Sequence, residues 1–230
     1  MGLIFGLKAA MLLLWKKEEI HLAINGWNGP VRDFIFYFLT YAGDGLFALA
    51  LILVTLFIRF RYALSLALSF LGSGVVSQLM KRLFFAETIR PVPYFRALET
   101  PLNLVEGVHY HFTMSFPSGH SASAYALFIL LALFTRNKMV SVFFVLLAAS
   151  IAFSRVYLSQ HFLWDTLMGG MIGFVAAWIT FYGQQRWSAS WLDKSLLTLR
   201  LNKHLPSDHA IAVNPKNKQK DPGGFGSPKA

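Results

Sequence analysis

The fold class this sequence predicts is an all-α bundle of membrane-crossing helices, and three observations predict it. Only 14% of the 230 residues are charged and 55% are hydrophobic, whereas a soluble domain carries about a quarter charged residues. Mean hydropathy is +0.50. Five apolar segments recur along the chain, at 34–58, 62–80, 121–134, 139–153 and 166–182, separated by short polar or basic breaks. A shorter apolar stretch precedes them. With no Cys in the chain, disulfides and thiolate metal sites are excluded.

Each element has its own warrant. Residues 1–15 are apolar apart from Lys8 and stop at Lys16-Lys17-Glu18-Glu19. That run is shorter than the roughly 20 residues a spanning helix needs, so a short or interfacial helix is expected. A cleavable leader is the alternative, although no small-residue cleavage site precedes the charges. Trp27-Asn28-Gly29-Pro30 reads as a turn, closing an N-terminal unit over 1–32. Phe34–Ile58 could span, but Asp44-Gly45 interrupts it, and a carboxylate at mid-bilayer is expensive. A helix near one surface over 34–43, with the crossing beginning around Gly45, leaves Asp44 at interface depth; the other reading makes Asp44 a site residue. Tyr62–Met80 follows the basic turn Arg59-Phe60-Arg61. Residues 81–116 are polar and Pro-containing, too irregular for lipid. The runs 121–134 and 139–153 are short and should extend into their flanking motifs. The core unit thus covers 33–183. A basic tail, 184–230, follows, and its Asn, Lys, Pro and Gly content after Ser207 predicts disorder from about 207.

The formal net charge of +10 is spread along the chain. Eight Lys/Arg against three acids lie from Arg186 onward, as befits a tail attracted to anionic headgroups. No basic stripe interleaved with aromatics marks a nucleic-acid partner; the partner this composition predicts is the bilayer. Alternating the crossings puts loops 81–116 and 154–164 on one face, and Arg59, Arg61, Arg136, Lys138 and the tail on the other. The positive-inside rule makes the second face, with the C-terminus, cytoplasmic. The first face is then external, or periplasmic if the chain sits in a bacterial inner membrane.

Both external loops run into motifs. In Ser154-Arg155-(five residues)-His161-(three residues)-Asp165, His161 and Asp165 stand four apart, on one face if a helix has begun there. A carboxylate beside an imidazole fixes its tautomer, and the other ring nitrogen is a competent nucleophile toward phosphorus. Arg155 offers a forked guanidinium to phosphate oxygens. Pro117-Ser118-Gly119-His120 opens the next apolar run. A helix N-terminus is an anion site, Gly119 lets backbone approach a phosphate, the Ser118 hydroxyl adds a donor, and His120 is placed to protonate a leaving oxygen. Lys81 and Arg90 bring fixed cations of the kind phosphoryl transfer requires.

In this order the three pieces resemble the type 2 phosphatidic acid phosphatases, whose signature is Lys-x6-Arg-Pro, Pro-Ser-Gly-His and Ser-Arg-x5-His-x3-Asp. The resemblance runs over roughly 30–183, and the second and third motifs match in full. It implies a metal-independent phosphatase without cofactor, working through a phosphohistidine. His161 would be the nucleophile, Asp165 its orienting acid and His120 the general acid. Lys81, Arg90, Ser118, Gly119 and Arg155 would hold phosphate. One departure stands out: eight residues, not six, separate Lys81 from Arg90, and Arg82 gives seven. Either Lys81 reaches the site through a bulged loop or Arg82 replaces it. The family commonly shows six crossings, one more than the five segments here.

The implied function is hydrolysis of a phosphomonoester or pyrophosphate headgroup of a lipid: undecaprenyl pyrophosphate, phosphatidylglycerol phosphate, phosphatidic acid or phosphorylated lipid A. A phosphotransferase using a lipid or sugar acceptor would share every residue named. A polytopic protein with a relic site is the non-enzymatic alternative, and soluble haloperoxidases, which share similar motifs, lack such spans. His21, His109, His111, His204 and His209 form no closed metal-ligand set by spacing. The sequence carries no signal on oligomeric state.

Overall fold

The structure, a computed structural model, describes residues 1–199, and every regular element among them is helical. The elements are α1 (Gly2–Leu14), α2 (Lys17–Asn25), α3 (Pro30–Leu39) running into a 3-10 turn (Thr40–Gly43), α4 (Gly45–Leu56), α5 (Phe60–Leu83), α6 (Pro91–Ala97), α7 (Gly119–Phe134), α8 (Lys138–Tyr157) and α9 (Leu163–Gln184). A last 3-10 turn covers Ser190–Asp193. The expected disorder after about 207, with His204 and His209, lies outside the described residues.

Three helices, α5, α8 and α9, are each long and apolar enough to cross a membrane. The pair α3–α4 makes a fourth candidate, bent by 60° at Asp44. The fifth expected crossing, α7, has 16 residues, about 24 Å at 1.5 Å per residue, and falls short of a full span. The reason is its position. It is the central helix, with Tyr125, Leu127 and Leu130 wholly buried, so protein rather than lipid surrounds it. Apolar side chains on the outer helices point outward, among them Leu49, Leu53, Leu68, Leu71, Phe143 and Ile179, as a lipid-facing surface requires.

The bundle packs through small residues. On α5, Ser65, Ser69, Ser73, Ser77 and Lys81 recur every four residues and all are buried, forming one inward stripe. The Ser69 hydroxyl donates to the Ala126 carbonyl of α7 (3.0 Å). The stripe ends on Lys81, which is why that lysine faces inward while Arg82 is exposed. Between α7 and α9 the approach is closer still. A Cβ at Gly169 would fall 2.2 Å from the Ser118 carbonyl oxygen, and one at Gly173 would fall 2.2 Å from that of Ala122. These two glycines, one turn apart, let the backbones touch.

The N-terminal segment is more structured than the sequence suggests. Helix α1 packs on α7 and α9: Phe5 stacks on Tyr125 (5.4 Å between centroids), and buried Lys8 donates to Thr166 Oγ1 (3.4 Å). The charged run read as a stop begins a second helix, α2. The two short runs extend into their flanking motifs as expected, with α7 starting at Gly119 and α8 continuing through Arg155; α9 also takes in Asp165. At the end away from the motifs, Arg61 donates to Asp193 (3.0 Å) and to the Gln184 carbonyl (2.8 Å), and Tyr62 packs on Phe134. The α5, α7 and α9 ends opposite the motifs therefore share one side, with Arg59 and Arg61.

Gly173→Ala should destabilise the detergent-solubilised protein by about 1–3 kcal/mol, the range for overpacking. Gly74→Ala, where an added Cβ meets nothing within 4 Å, should leave the thermal midpoint unchanged or raised. Equal midpoints for the two variants would show that the α7–α9 contact does not govern stability.

Candidate active site

His161 sits in the short connection between α8 and α9, 2% exposed at its side chain. The spacing puts His161 and Asp165 on one helix face only if a helix has begun at His161; α9 starts two residues later, at Leu163. Asp165, in the first turn, reaches back to accept from the Phe162 amide (2.9 Å) and from Ser115 Oγ (2.5 Å), both through Oδ2. That same oxygen lies 3.5 Å from His161 Nδ1, an electrostatic contact without hydrogen-bond alignment. The opposite ring nitrogen, Nε2, faces the Arg90 guanidinium at 3.4 Å. Burial, reinforced by Arg90, Arg155 and Lys81, pushes the His161 pKa well below its ordinary value. The imidazole is therefore neutral at pH 7, the state a nucleophile needs.

Three buried cations converge here. Lys81 donates to the Met114 carbonyl (3.1 Å). Arg90 donates from Nε to the Thr113 carbonyl (2.9 Å) and from a terminal nitrogen to that of Gln160 (3.1 Å). Burial also lowers the Arg90 pKa from its usual value. Arg155 donates to Thr40 Oγ1 (2.6 Å) and, at 3.5 Å, to Gln160 Oε1, while its buried Nε has no partner among the described residues. The stretched first motif is accommodated between α5 and α6. Thr88 donates to the Phe85 carbonyl through both its amide and its hydroxyl, a tight turn that takes up the extra length. The chain then pairs with the strip before α7, through Ser115 N to Thr88 O and Arg90 N to Phe112 O. Lys81, not Arg82, thus joins the cluster.

The Pro-Ser-Gly-His segment forms the third wall. Ser118 caps α7, its hydroxyl accepting from Ser121 N (3.4 Å) and Ser121 Oγ (3.0 Å), and its amide donates to the Asp165 carbonyl (2.9 Å). A Cβ at Gly119 would meet no atom within 4 Å, so the backbone there is open to an approaching group. His120 lies within electrostatic reach of Arg155, His161, Lys81 and Arg90. The structure therefore brings together all eight residues singled out from the sequence. Four that the motifs missed join them: Thr40, Asp44, Ser115 and Gln160. Of these, Asp44 alone left a signal, a carboxylate interrupting an apolar run.

A second set of contacts steadies the His161 connection from behind. Buried His21 of α2 contacts Ser159 Oγ through Nε2 (3.1 Å), stacks on Phe95 and meets the edge of Phe162. Asn25 exchanges two 2.8 Å hydrogen bonds with the backbone of Asn103. The pair His109/His111 lies in the loop before α7 with rings 5.0 Å apart, and among the described residues no three His, Asp or Glu cluster as a metal site.

Residues 62–189 match the PAP2 superfamily. The chain belongs to that superfamily. It is similar in structure to LpxE of Aquifex aeolicus, with a TM-score of 0.63 and 25% identity over 71% of this chain and 93% of that one. The first transmembrane PAP2-type phosphatidylglycerolphosphate phosphatase from Bacillus subtilis shares the fold, with a TM-score of 0.62 and 24% identity over 81% and 94%. A stretch of 67 residues is 34% identical to the lipid A 4'-phosphatase of Bacteroides thetaiotaomicron. That stretch is 29% of this chain and 30% of the relative, so the chain matches under a third of that protein's length.

His21 makes stability depend on pH. Burial lowers its pKa from 6.5 to about 4, so between those values the unfolded chain binds a proton that the folded chain refuses. Its contribution is intact above about pH 6.5 and falls as the pH drops toward 4, by about 3 kcal/mol in full. His21→Gln keeps a polar atom for Ser159 and cannot titrate. Thermal unfolding in detergent from pH 7 to pH 4.5 should show a shallower fall for the variant; parallel curves would contradict the assignment.

Proposed function

We propose that this protein is a membrane lipid phosphatase that hydrolyses a phosphomonoester or pyrophosphate headgroup through a phosphohistidine on His161. The observation that carries the reading is the charge balance around His161 Nε2. Lys81, Arg90 and Arg155 are buried there, against two carboxylates, Asp44 and Asp165. Excess positive charge held out of water on fixed donors is a site for a group bearing more than one negative charge.

In this mechanism His161 Nε2 attacks phosphorus, a nitrogen–phosphorus bond forms and the bond to the leaving oxygen breaks. That oxygen keeps the electron pair and takes a proton from His120. Lys81, Arg90 and Arg155 bind the equatorial oxygens, with the Gly119 amide at the N-terminus of α7, and Ser118 shapes that turn. Asp165 stabilises the imidazole as its Nδ1–H side becomes positive. In the second half, water gives its proton to His120 and its oxygen to phosphorus, and the bond to His161 breaks. No residue in this scheme requires a metal or cofactor.

An amphiphilic substrate is supported by a groove of about 1380 Å³ beside the cluster. Its wall includes Leu12, Phe85, Phe116 and Trp164, it reaches Ser115 and Asp165, and Lys16 and Lys17 stand along it. Apolar walls suit acyl or isoprenyl chains, and the lysines suit an anionic headgroup. The relatives named for lipid A and phosphatidylglycerolphosphate make those two lipids the first candidates. Arg59 and Arg61 lie at the end of the bundle opposite the site, which supports a cytoplasmic location for that end and an external one for His161. The catalytic unit of this reading is 33–183 with α1 and α2 packed on it; Asp193, early in the basic segment 184–230, pairs with Arg61, so a cytoplasmic C-terminal tail belongs to the same reading.

The test is phosphate release from a lipid panel by purified protein in detergent containing EDTA. The panel is phosphorylated lipid A, phosphatidylglycerol phosphate, phosphatidic acid and undecaprenyl pyrophosphate, with His161→Ala alongside. Release that persists in EDTA and falls by more than about 10³-fold in the variant is expected for loss of a nucleophile, together with an acid-labile phosphoryl label on the wild type alone. Activity retained in His161→Ala, or abolished by EDTA, would overturn the mechanism.

A further inference from the structure

We propose that Asp44 is the positioning residue of His120, an inference that rests on His120 being the general acid of the reading above. The break between the 3-10 turn and α4 places Asp44 at the site. One carboxylate oxygen caps α4, Oδ1 accepting from the Leu46 amide at 2.9 Å. The other, Oδ2, lies 4.0 Å from His120 Nε2. The cap accounts for a side-chain oxygen but not for a charge, since Asn or Ser would cap as well, and a carboxylate inside an apolar run is costly.

The same segment is seated on the site by its neighbours. A Cβ at Gly43 would fall 3.0 Å from the His120 carbonyl oxygen and 3.3 Å from its Cβ, so the backbone before Asp44 lies directly against His120. Four residues earlier in the chain, Thr40 accepts from Arg155. The turn from Thr40 to Asp44 is thus a wall of the site that none of the three motifs contains.

The electrostatic setting of His120 gives Asp44 its task. From α8, α5, the start of α6 and the His161 connection, Arg155, Lys81, Arg90 and His161 lie within electrostatic reach of His120, none of them an acid. Asp165 is engaged by Ser115, the Phe162 amide and His161. Among the described residues Asp44 is the carboxylate beside His120 Nε2, and it also lies near Arg155. With one ring nitrogen of His120 turned to Asp44, the other is aimed at the leaving oxygen and carries the proton transferred as the phosphorus–oxygen bond breaks. In the second half, the proton returns to His120 from the attacking water. Closing the 4.0 Å gap needs only the tightening expected when substrate binds.

The experiment compares kcat/KM for two monoesters, dioctanoyl phosphatidic acid with its poor alkoxide leaving group and p-nitrophenyl phosphate with a good one. A general acid matters for the first and little for the second. His120→Asn should lose about 10²–10⁴-fold on the alkyl ester, the usual worth of general acid catalysis, and far less on the aryl ester. Asp44→Asn and Asp44→Ser, which keep the cap, should each lose about 10–100-fold on the alkyl ester and under about 3-fold on the aryl ester. Their KM and thermal midpoints should match the wild type. Asp44→Glu should recover part of the loss, and adding Asp44→Asn to His120→Asn should cost nothing further. Equal losses on both esters in Asp44→Asn and Asp44→Ser, with His120→Asn still selective, would overturn the role of Asp44 alone. A His120→Asn variant without leaving-group selectivity would overturn the assignment of His120 and this proposal with it.

Discussion

The contact on which the rest of the structure depends is the backbone approach of α7 to α9 at Gly169 and Gly173. In lipid the hydrophobic effect does little to join helices, so association relies on close van der Waals packing and interhelical hydrogen bonds. Here the two glycines bring the α9 backbone against the Ser118 and Ala122 carbonyls, and the Ser118 amide donates to the Asp165 carbonyl. The consequence is chemical as well as mechanical. The first turn of α7, with Ser118, Gly119 and His120, is held at a fixed height beside the first turn of α9, which carries Asp165. The serine stripe of α5 brings Lys81 to the same level by the same kind of packing. Three helix ends thus meet at one depth because their contact faces are small.

What gathers there is electrostatically uneven. Buried cations are stabilised by carbonyls of the loop before α7 and of Gln160, and Arg155 by the Thr40 hydroxyl. Those partners orient the cations without neutralising them. The cost of holding them out of water is offset when an anion of opposite charge binds, and such preorganised donors need no rearrangement as charge develops on a transferring phosphoryl group. Burial, reinforced by the same positive field, keeps His161 neutral, so one arrangement suits both the proposed nucleophile and an anionic target. The carboxylates are placed at the two sides of the cluster, Asp165 behind His161 and Asp44 beside His120.

Much of this was legible in the sequence. The capped first turn of α7 sets the distance between Ser118 and His120, so that pair could be read directly. The four-residue spacing also paired His161 with Asp165, although the contact comes from Asp165 reaching back from the first turn of α9. The periodic apolar runs gave the outer helices. Other features depended on long-range packing. The turn at Phe85–Thr88 resolves the stretched first motif only through its pairing with residues 112–116. Helix α7 could be taken for an ordinary crossing because sequence hydropathy does not distinguish burial in protein from burial in lipid. Helix α2 was hidden in a charged run whose inward residues, Ile20 and His21, acquire meaning only against Val156, Leu163 and Ser159. Thr40 and Gln160 serve through contacts far apart in sequence, and no local pattern marks them. Asp44 was visible as an anomaly, but its neighbour was not.

The most direct test of the account is an experimental structure of the protein with vanadate, which adopts the five-coordinate geometry of phosphoryl transfer. The account predicts vanadium bonded to His161 Nε2, its equatorial oxygens held by Lys81, Arg90 and Arg155, and its outer apical oxygen toward His120. Vanadium bonded through His120, or lodged away from the three cations, would contradict it.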